Sequence, residues 1–272
     1  MPSATSYNID DYESLLVALQ NVLGVIVPDA LRSNLVDRFK PLLSSYKLDS
    51  LTSLAEKLQG GDADLCANVL DVVSQRQAGW FLNIEVKSIL HKYIFAQLPE
   101  KAKIWFAGCG QGQLAYSVVM EIAKYELESG KAKNFQLIAT DVLPDDINQA
   151  ELATYNTQQL STLFDEDKKR FFTLNEKAGS GQLKDKFRQQ ITFSQCDLIN
   201  DFQSLGQMDL IICPEVLVYF SNNVKADIIQ QFSDLLNPGG IFLTGSNQPV
   251  IPFSKSFERV EHPAGVFYRK KS

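Results

Sequence analysis

Histidine is scarce in this chain and cysteine is scattered. The 272 residues contain two histidines, His91 and His262, and four cysteines, Cys66, Cys109, Cys196 and Cys213. None of the cysteines forms a CxxC pair. Two histidines give poor support to a His-rich metal centre or a Ser-His-Asp triad, and the wide cysteine spacing argues against a structural zinc site or a disulfide framework. The cysteines read as small buried hydrophobes. No apolar run reaches the roughly 18–20 residues of a membrane span, so no integral membrane segment is expected. Met1 to Asp11 is polar and acidic, without the cationic start and apolar core of a secretory leader. A cytoplasmic location is the expectation. Excess positive charge is missing too. Lys and Arg number 26 against 32 Asp and Glu, for a net charge of −6. That excludes a basic footprint for nucleic acid and a polybasic membrane patch.

What is present suits a packed globular protein, with 45% hydrophobic and 21% charged residues. The first hundred residues carry helical spacing. One helix runs through Leu15, Leu19 and Leu23 and stops at Gly24. A second begins near Pro28 and runs through Leu31, Leu35, Phe39 and Leu43. A third, capped by Asp49 or Ser50, passes Leu51, Leu54 and Leu58 and ends at Gly60-Gly61. A fourth spans Asp62 to about Val73, and a fifth spans about Asn83 to Leu98, before Pro99. Arg32, Arg38, Lys40 and Lys47 are assigned to the second helix. Asp29 and Asp37 dilute them, which reads as a solvated face.

From Lys101 the period changes. Strands are expected at Ile104–Ala107, Phe135–Asp141, Ile191 to Asp197, Met208–Cys213 and Ile241–Thr244. Helices alternate with them, one through Leu114, Val118 and Ile122 and one from Ser221 through Phe232. Leu236-Asn237-Pro238-Gly239-Gly240 reads as a helix stop and turn. Phe257–Val260 and Val266–Tyr268 read as a closing hairpin. The alternation predicts an α/β fold with a mostly parallel sheet and helices on both faces. A helical domain at residues 1–99 precedes an α/β domain at 100–272. The stretch 171–193, with Gly179-Ser180-Gly181, reads as a small inserted β subdomain.

Four constellations carry chemistry. Ala107-Gly108-Cys109-Gly110-Gln111-Gly112 lies between a strand and a helix, where glycines admit a sharp turn and a close ligand. It lacks the Lys-Ser/Thr of a phosphate-binding loop. The plain alternative is a tight turn with no ligand. Asp141 ends the next strand, where a carboxylate can accept from ribose hydroxyls of a dinucleotide or of S-adenosylmethionine. The alternative is a helix N-cap. Asp197 and Leu198 end the third strand, placed for an adenine amino group and ring; the alternative is a surface loop. Cys213-Pro214-Glu215-Val216-Leu217-Val218-Tyr219-Phe220 ends the fourth strand and brings Glu215 and Tyr219 to the substrate side. Tyr219 as a core aromatic is the alternative.

In this order the chain resembles the chemotaxis receptor methyltransferases of the CheR type, over nearly its whole length. The likeness runs through Trp80-Phe81, Tyr116-Ser117, Ala139-Thr140-Asp141, Phe171-Phe172, Cys213 to Phe220 and Val266-Phe267-Tyr268-Arg269-Lys270. It implies a Rossmann-like S-adenosylmethionine-dependent methyltransferase sheet, with S-adenosylhomocysteine as product. It also implies methyl transfer to glutamates of a chemoreceptor or other signalling protein, and suggests the inserted subdomain as a docking element for the receptor tail. The implied cofactor-binding set is Ala107, Gly108, Gly110, Gly112, Gln113, Asp141, Val142, Asp197, Leu198 and Glu215, with Tyr219 as the catalytic candidate. Some positions depart from the family. Its Asn-x-Thr-x-Phe-Phe-Arg has Arg76, Ala78 and Leu82 here at the Asn, Thr and Arg. Its Gly-Glu-Glu-Pro-Tyr-Ser is Gly112-Gln113-Leu114-Ala115-Tyr116-Ser117, and its Cys-Arg-Asn-Val is Cys213-Pro214-Glu215-Val216. Gln113 or Glu215 is a candidate to replace the lost amino-group contact. Two further readings stay open: a catalytically weak or inactive relative serving as a binding or scaffold module, and an enzyme for another substrate.

Overall fold

The computed structural model describes residues 9–27, 29–73, 79–80, 84–245 and 250–271. The expectations at Arg76, Ala78, Phe81 and Leu82 lie outside the described residues. The chain divides into two compact units, Met1–Arg76 with Leu217–Lys225, and Gln77–Val216 with Ala226–Ser272.

The first unit is helical: α1 (Ile9–Leu23), α2 (Asp29–Ser45), α3 (Leu51–Gln59) and α4 (Ala63–Val73). Each helix buries its periodic apolar face, with Leu15, Leu19, Leu35, Phe39, Leu54 and Leu58 among the buried side chains. The Ser50 side chain caps α3 by accepting from the Ser53 N–H at 3.1 Å. Gly24 stops α1 at φ 64, a value that favours glycine. The segment Leu217–Lys225 joins this unit through backbone bonds. Ile26 N–H donates to the Tyr219 carbonyl at 2.7 Å, and Ser221 N–H donates to the Gly24 carbonyl at 3.1 Å. The basic row assigned to the second helix is shorter than expected. Lys47 lies beyond the end of α2, and Lys40 pairs with Asp37 at 2.5 Å.

The second unit begins with α5 (Ile84–Ile89), a π turn (Leu90–Ile94) and α6 (Phe95–Gln97). Then come β1 (Lys103–Ala107), α7 (Gln113–Ser129), β2 (Gln136–Asp141), α8 (Pro144–Leu152), β3 (Thr154–Asn156), α9 (Thr157–Leu160), α10 (Asp165–Phe171) and β4 (Phe172–Asn175). The chain continues with β5 (Ser180–Leu183), α11 (Asp185–Arg188), β6 (Ile191–Gln195), β7 (Met208–Cys213), α12 (Asn222–Leu235, which belongs to this unit from Ala226 on), β8 (Leu236–Thr244), β9 (Phe257–His262) and β10 (Gly265–Lys270).

Seven strands form one sheet in the order β6-β2-β1-β7-β8-β10-β9. The first five are parallel, and β10 runs antiparallel to both β8 and β9. β1 pairs with β2 on one side and β7 on the other. The strand order reverses there, which opens a crevice at the carboxyl ends. The central strands are near-continuous apolar runs because both faces are covered. Ile104, Trp105, Phe106, Leu210, Ile211 and Ile212 are completely buried.

Several boundaries differ from the sequence expectations. The helical stretch before Pro99 belongs to the α/β unit, not to a domain ending at residue 99. Trp80, Ile89, Leu90, Ile94, Phe95 and Leu98 all sit in that unit's core. The small sheet, β3-β5-β4, starts earlier than the expected 171–193 insertion, at Thr154, and Ile191–Phe193 belongs to β6 of the large sheet. The third strand of the expectation ends at Gln195, short of Asp197. Leu236–Gly240 is the first part of β8, with a register shift between Met208 and Leu210, and not only a turn before it. Both histidines have structural partners. His91 lies between Glu121 (Nδ1–Oε1 2.6 Å) and Glu128 (Nε2–Oε2 2.9 Å), and His262 packs on the Tyr93 ring at 4.4 Å.

Candidate functional site

The glycine loop leaves β1 at Ala107, which is buried, and enters α7 at Gly112. Gly108 and Cys109 donate their N–H groups to the Thr140 carbonyl, both at 2.9 Å, so the loop folds back over the end of β2. Gly108, Gly110 and Gly112 have φ of 75, 51 and 88. Their reasons for being glycine differ. A Cβ on Gly108 would lie 2.5 Å from Val216 Cγ2, and one on Gly112 would lie 2.9 Å from the Ala150 Cβ. Packing accounts for those two. At Gly110 an added Cβ meets nothing within 4 Å. The open space over this loop is therefore at Gly110.

Asp141 ends β2 and ties the loop down. Its Oδ2 accepts from Gly110 N–H at 2.8 Å and its Oδ1 from Leu143 N–H at 3.2 Å. The helix-cap alternative does not apply, because the N-cap of α8 is Leu143. Val142 is half-buried, and its carbonyl accepts from Gln195 Nε2 at 2.9 Å. Asp197 follows β6. It is half-buried, and its Oδ1 accepts from Ile199 N–H at 3.1 Å. Burial pushes its carboxyl up from the ordinary range, and the Ile199 N–H pulls partly back. Leu198 beside it is buried.

Glu215 follows β7 with φ 57, a strained value for a residue with a side chain. It is half-buried, and its carboxylate makes no hydrogen bond or ion pair among the described residues. Just past β8, a Cβ on Gly245 would meet Glu215 Oε1, the end of a flexible side chain. Gln113, the first residue of α7, is only 2% exposed, and its Nε2 is buried without a hydrogen-bond partner among the described residues. Such an orphan donor costs about 1–3 kcal/mol unless a ligand meets it. The carboxyl edge thus brings together the loop, Gln113, Asp141, Val142, Asp197, Leu198 and Glu215. Tyr219 belongs to the other compact unit.

Sequence reasoning missed the braces of the loop. Tyr155 on β3 donates its hydroxyl to the Gln111 carbonyl at 2.8 Å, and Gln159 Nε2 donates to Gln111 Oε1 at 3.3 Å. Trp80 Nε1 donates to the Gln159 carbonyl at 2.8 Å, and its ring meets Tyr155 edge-on at 4.9 Å. Tyr116 donates to the Ala150 carbonyl at 2.8 Å. Burial raises the Tyr116 and Tyr155 phenols, so they stay protonated as donors. An aromatic in the segment between α8 and β4 was the available signal, but no local period marks its partner.

Residues 76–266 match the family described as CheR methyltransferase, SAM binding domain. The chain belongs to the CheR methyltransferase family. It is 27% identical over 279 residues to chemotaxis protein methyltransferase 1 of Vibrio cholerae serotype O1, covering 99% of this chain and 100% of the relative. It is 25% identical to the chemotaxis protein methyltransferase of Vibrio anguillarum, again over 99% and 100% of the two chains. It is 26% identical to chemotaxis protein methyltransferase 1 of Pseudomonas aeruginosa, over 96% and 98%. This CheR chain is an S-adenosylmethionine-dependent methyltransferase resembling the chemoreceptor enzymes. The residues present fit its cofactor. Open space at Gly110, the orphan Gln113 Nε2 and a Glu215 carboxylate unpaired among the described residues suit an adenosyl amino acid with charged groups at one end. No described helix is long and apolar enough to cross a membrane, and no cluster of three metal-ligating side chains occurs among the described residues.

Proposed function

We propose that this CheR enzyme methylates a glutamate side chain of a chemoreceptor from the cytoplasm, with the cofactor held along the carboxyl edge of β6, β2, β1 and β7. The observation that carries the cofactor placement is the Asp141 carboxylate, which anchors Gly110 and, with its roughly four acceptor sites, can also meet ribose hydroxyls. Leu198 supports the adenine ring, and Asp197 accepts from its amino group. Gly110 leaves room for the ribose and its 5′ side. Gln113 Nε2 donates to the ligand's carboxylate, and Ala107, Gly108, Gly112 and Val142 shape the wall.

S-adenosylmethionine, when bound, supplies an electrophilic methyl group on a sulfonium. A glutamate acceptor is already ionised at neutral pH, so the chain need not remove a proton from it. The protein's work is to hold donor and acceptor in line, which contributes to rate through orientation. Tyr219 is the candidate catalytic side chain from its place shortly after Glu215 in the sequence, and the small β3-β5-β4 sheet is the candidate docking element for a receptor tail.

Transfer of labelled methyl from S-adenosylmethionine to a receptor cytoplasmic fragment tests this reading. Label released as methanol on mild alkaline treatment is the expected result, because a methyl ester hydrolyses there. Tyr219→Phe should slow this transfer while leaving cofactor affinity within threefold. Label stable to base would mean an acceptor other than a carboxylate. No label, with cofactor bound, would leave a binding module.

A further inference from the structure

We propose that Glu215 reads positive charge at the reacting end of the adenosyl ligand, so that this pocket favours the sulfonium cofactor over its neutral thioether product. The inference rests on the reading that the carboxyl edge of the sheet holds S-adenosylmethionine.

Position is the first support. Along the sheet the order is β6, β2, β1, β7, which places Asp197, Asp141, the glycine loop and Glu215 in that sequence along one edge. A ligand with its base beside Asp197 and its ribose on Asp141 has its 5′ end over β1 and β7. Val216, next to Glu215, packs directly on Gly108 of the loop, so the β7 end and the loop form one wall.

The state of the side chain is the second support. The Glu215 carboxylate is half-buried and unpaired among the described residues. Partial burial of a charge without a partner is unfavourable, and a cationic ligand relieves it. The backbone is held at φ 57 against steric preference, and the side chain lies against Gly245. Strain of that kind persists where the surroundings over-determine it.

The ligand's charges decide what Glu215 meets. The amino-acid end is a zwitterion whose charges cancel, and the buried donor Gln113 Nε2 suits its carboxylate. The sulfonium is the ligand's one uncompensated charge. A carboxylate beside it attracts the cofactor and gains nothing from the product, which carries a neutral sulfur. Product then leaves more readily than cofactor.

Isothermal titration of wild type, Glu215→Gln and Glu215→Asn with three ligands tests this. The ligands are S-adenosylmethionine, S-adenosylhomocysteine and 5′-methylthioadenosine, which lacks the amino-acid end. Asparagine tolerates positive φ, so Glu215→Asn guards against a folding failure of the glutamine variant. Wild type should bind S-adenosylmethionine at least tenfold more tightly than S-adenosylhomocysteine. Both variants should lose at least fivefold of that preference, with S-adenosylhomocysteine affinity changing less than threefold. An unchanged preference overturns the proposal. So does equal weakening of S-adenosylmethionine and S-adenosylhomocysteine with methylthioadenosine unaffected, which would put the carboxylate on the α-ammonium. If wild type binds none of the three, the parent reading of the site falls and this one with it.

Discussion

Replacing Asp141 with alanine strikes the site at its anchor. The carboxylate accepts from Gly110 N–H at 2.8 Å and from Leu143 N–H at 3.2 Å. Hydrogen bonds to a charged group contribute about 1.5–3 kcal/mol each. Asp141→Ala leaves both donors without that partner, and stability should fall by about 1–3 kcal/mol. In a protein of this size that lowers the melting temperature by several degrees, at roughly 2–4 °C per kcal/mol. The ligand loses more. The ribose hydroxyls lose their acceptor, and Gly110 no longer has its tether. Loss of one to two charged bonds weakens S-adenosylhomocysteine by about 100-fold or more, about 2.7 kcal/mol. Asp141→Asn keeps one acceptor oxygen and should fall between, at about tenfold. Calorimetric titration at a temperature where each variant is folded by circular dichroism reads both effects. A folded Asp141→Ala that binds S-adenosylhomocysteine within threefold of wild type would refute the placement of the ribose.

Further outcomes follow from the loop and the thiols. Gly108→Ala must accommodate both φ 75 and Val216 Cγ2 at 2.5 Å, and should lose about 2–4 kcal/mol in chemical denaturation. Gly110→Ala meets only its φ of 51 in open space and should lose about 1–2 kcal/mol, while blocking ligand approach. Equal stability losses would contradict the different reasons given for the two glycines. Burial raises all four thiols above the ordinary cysteine range, most strongly Cys109 and Cys213. A thiol-specific reagent should therefore label half-buried Cys66 and Cys196 slowly at pH 8 and about tenfold faster per pH unit while the thiols stay mostly protonated. Cys109 and Cys213 should react only on unfolding. Fast labelling of Cys213 in the folded protein would show that the β7 end is open to solvent.

Much of the architecture was readable where periodicity and punctuation agree. Ile104–Ala107 running into three closely spaced glycines, and Leu137–Thr140 running into Asp141, marked two neighbouring strand ends correctly. Ser50 and Gly60 marked the ends of a helix. The failures have specific causes. Thr154–Asn156 is too short to show alternation, and it forms a strand only because β5 lies beside it. Pro99 ends a helix, but the helix packs into the core that follows it, so a terminator was read as a boundary. Pro238-Gly239-Gly240 carries turn chemistry inside a strand, where a register shift absorbs it. Within the site, Asp141 was legible from its spacing after the loop. Gln113 and Glu215 were named as candidates too, but the orphan amide of the one and the strain and missing partner of the other depend on what tertiary packing leaves beside them.

A crystal structure of the protein grown with S-adenosylhomocysteine tests the central placement most directly. The account predicts adenine on Leu198 within hydrogen-bond reach of Asp197, ribose hydroxyls on Asp141, and the amino-acid end beside Gln113. Ligand density elsewhere, or this edge filled by protein side chains in a crystal saturated with ligand, would contradict it.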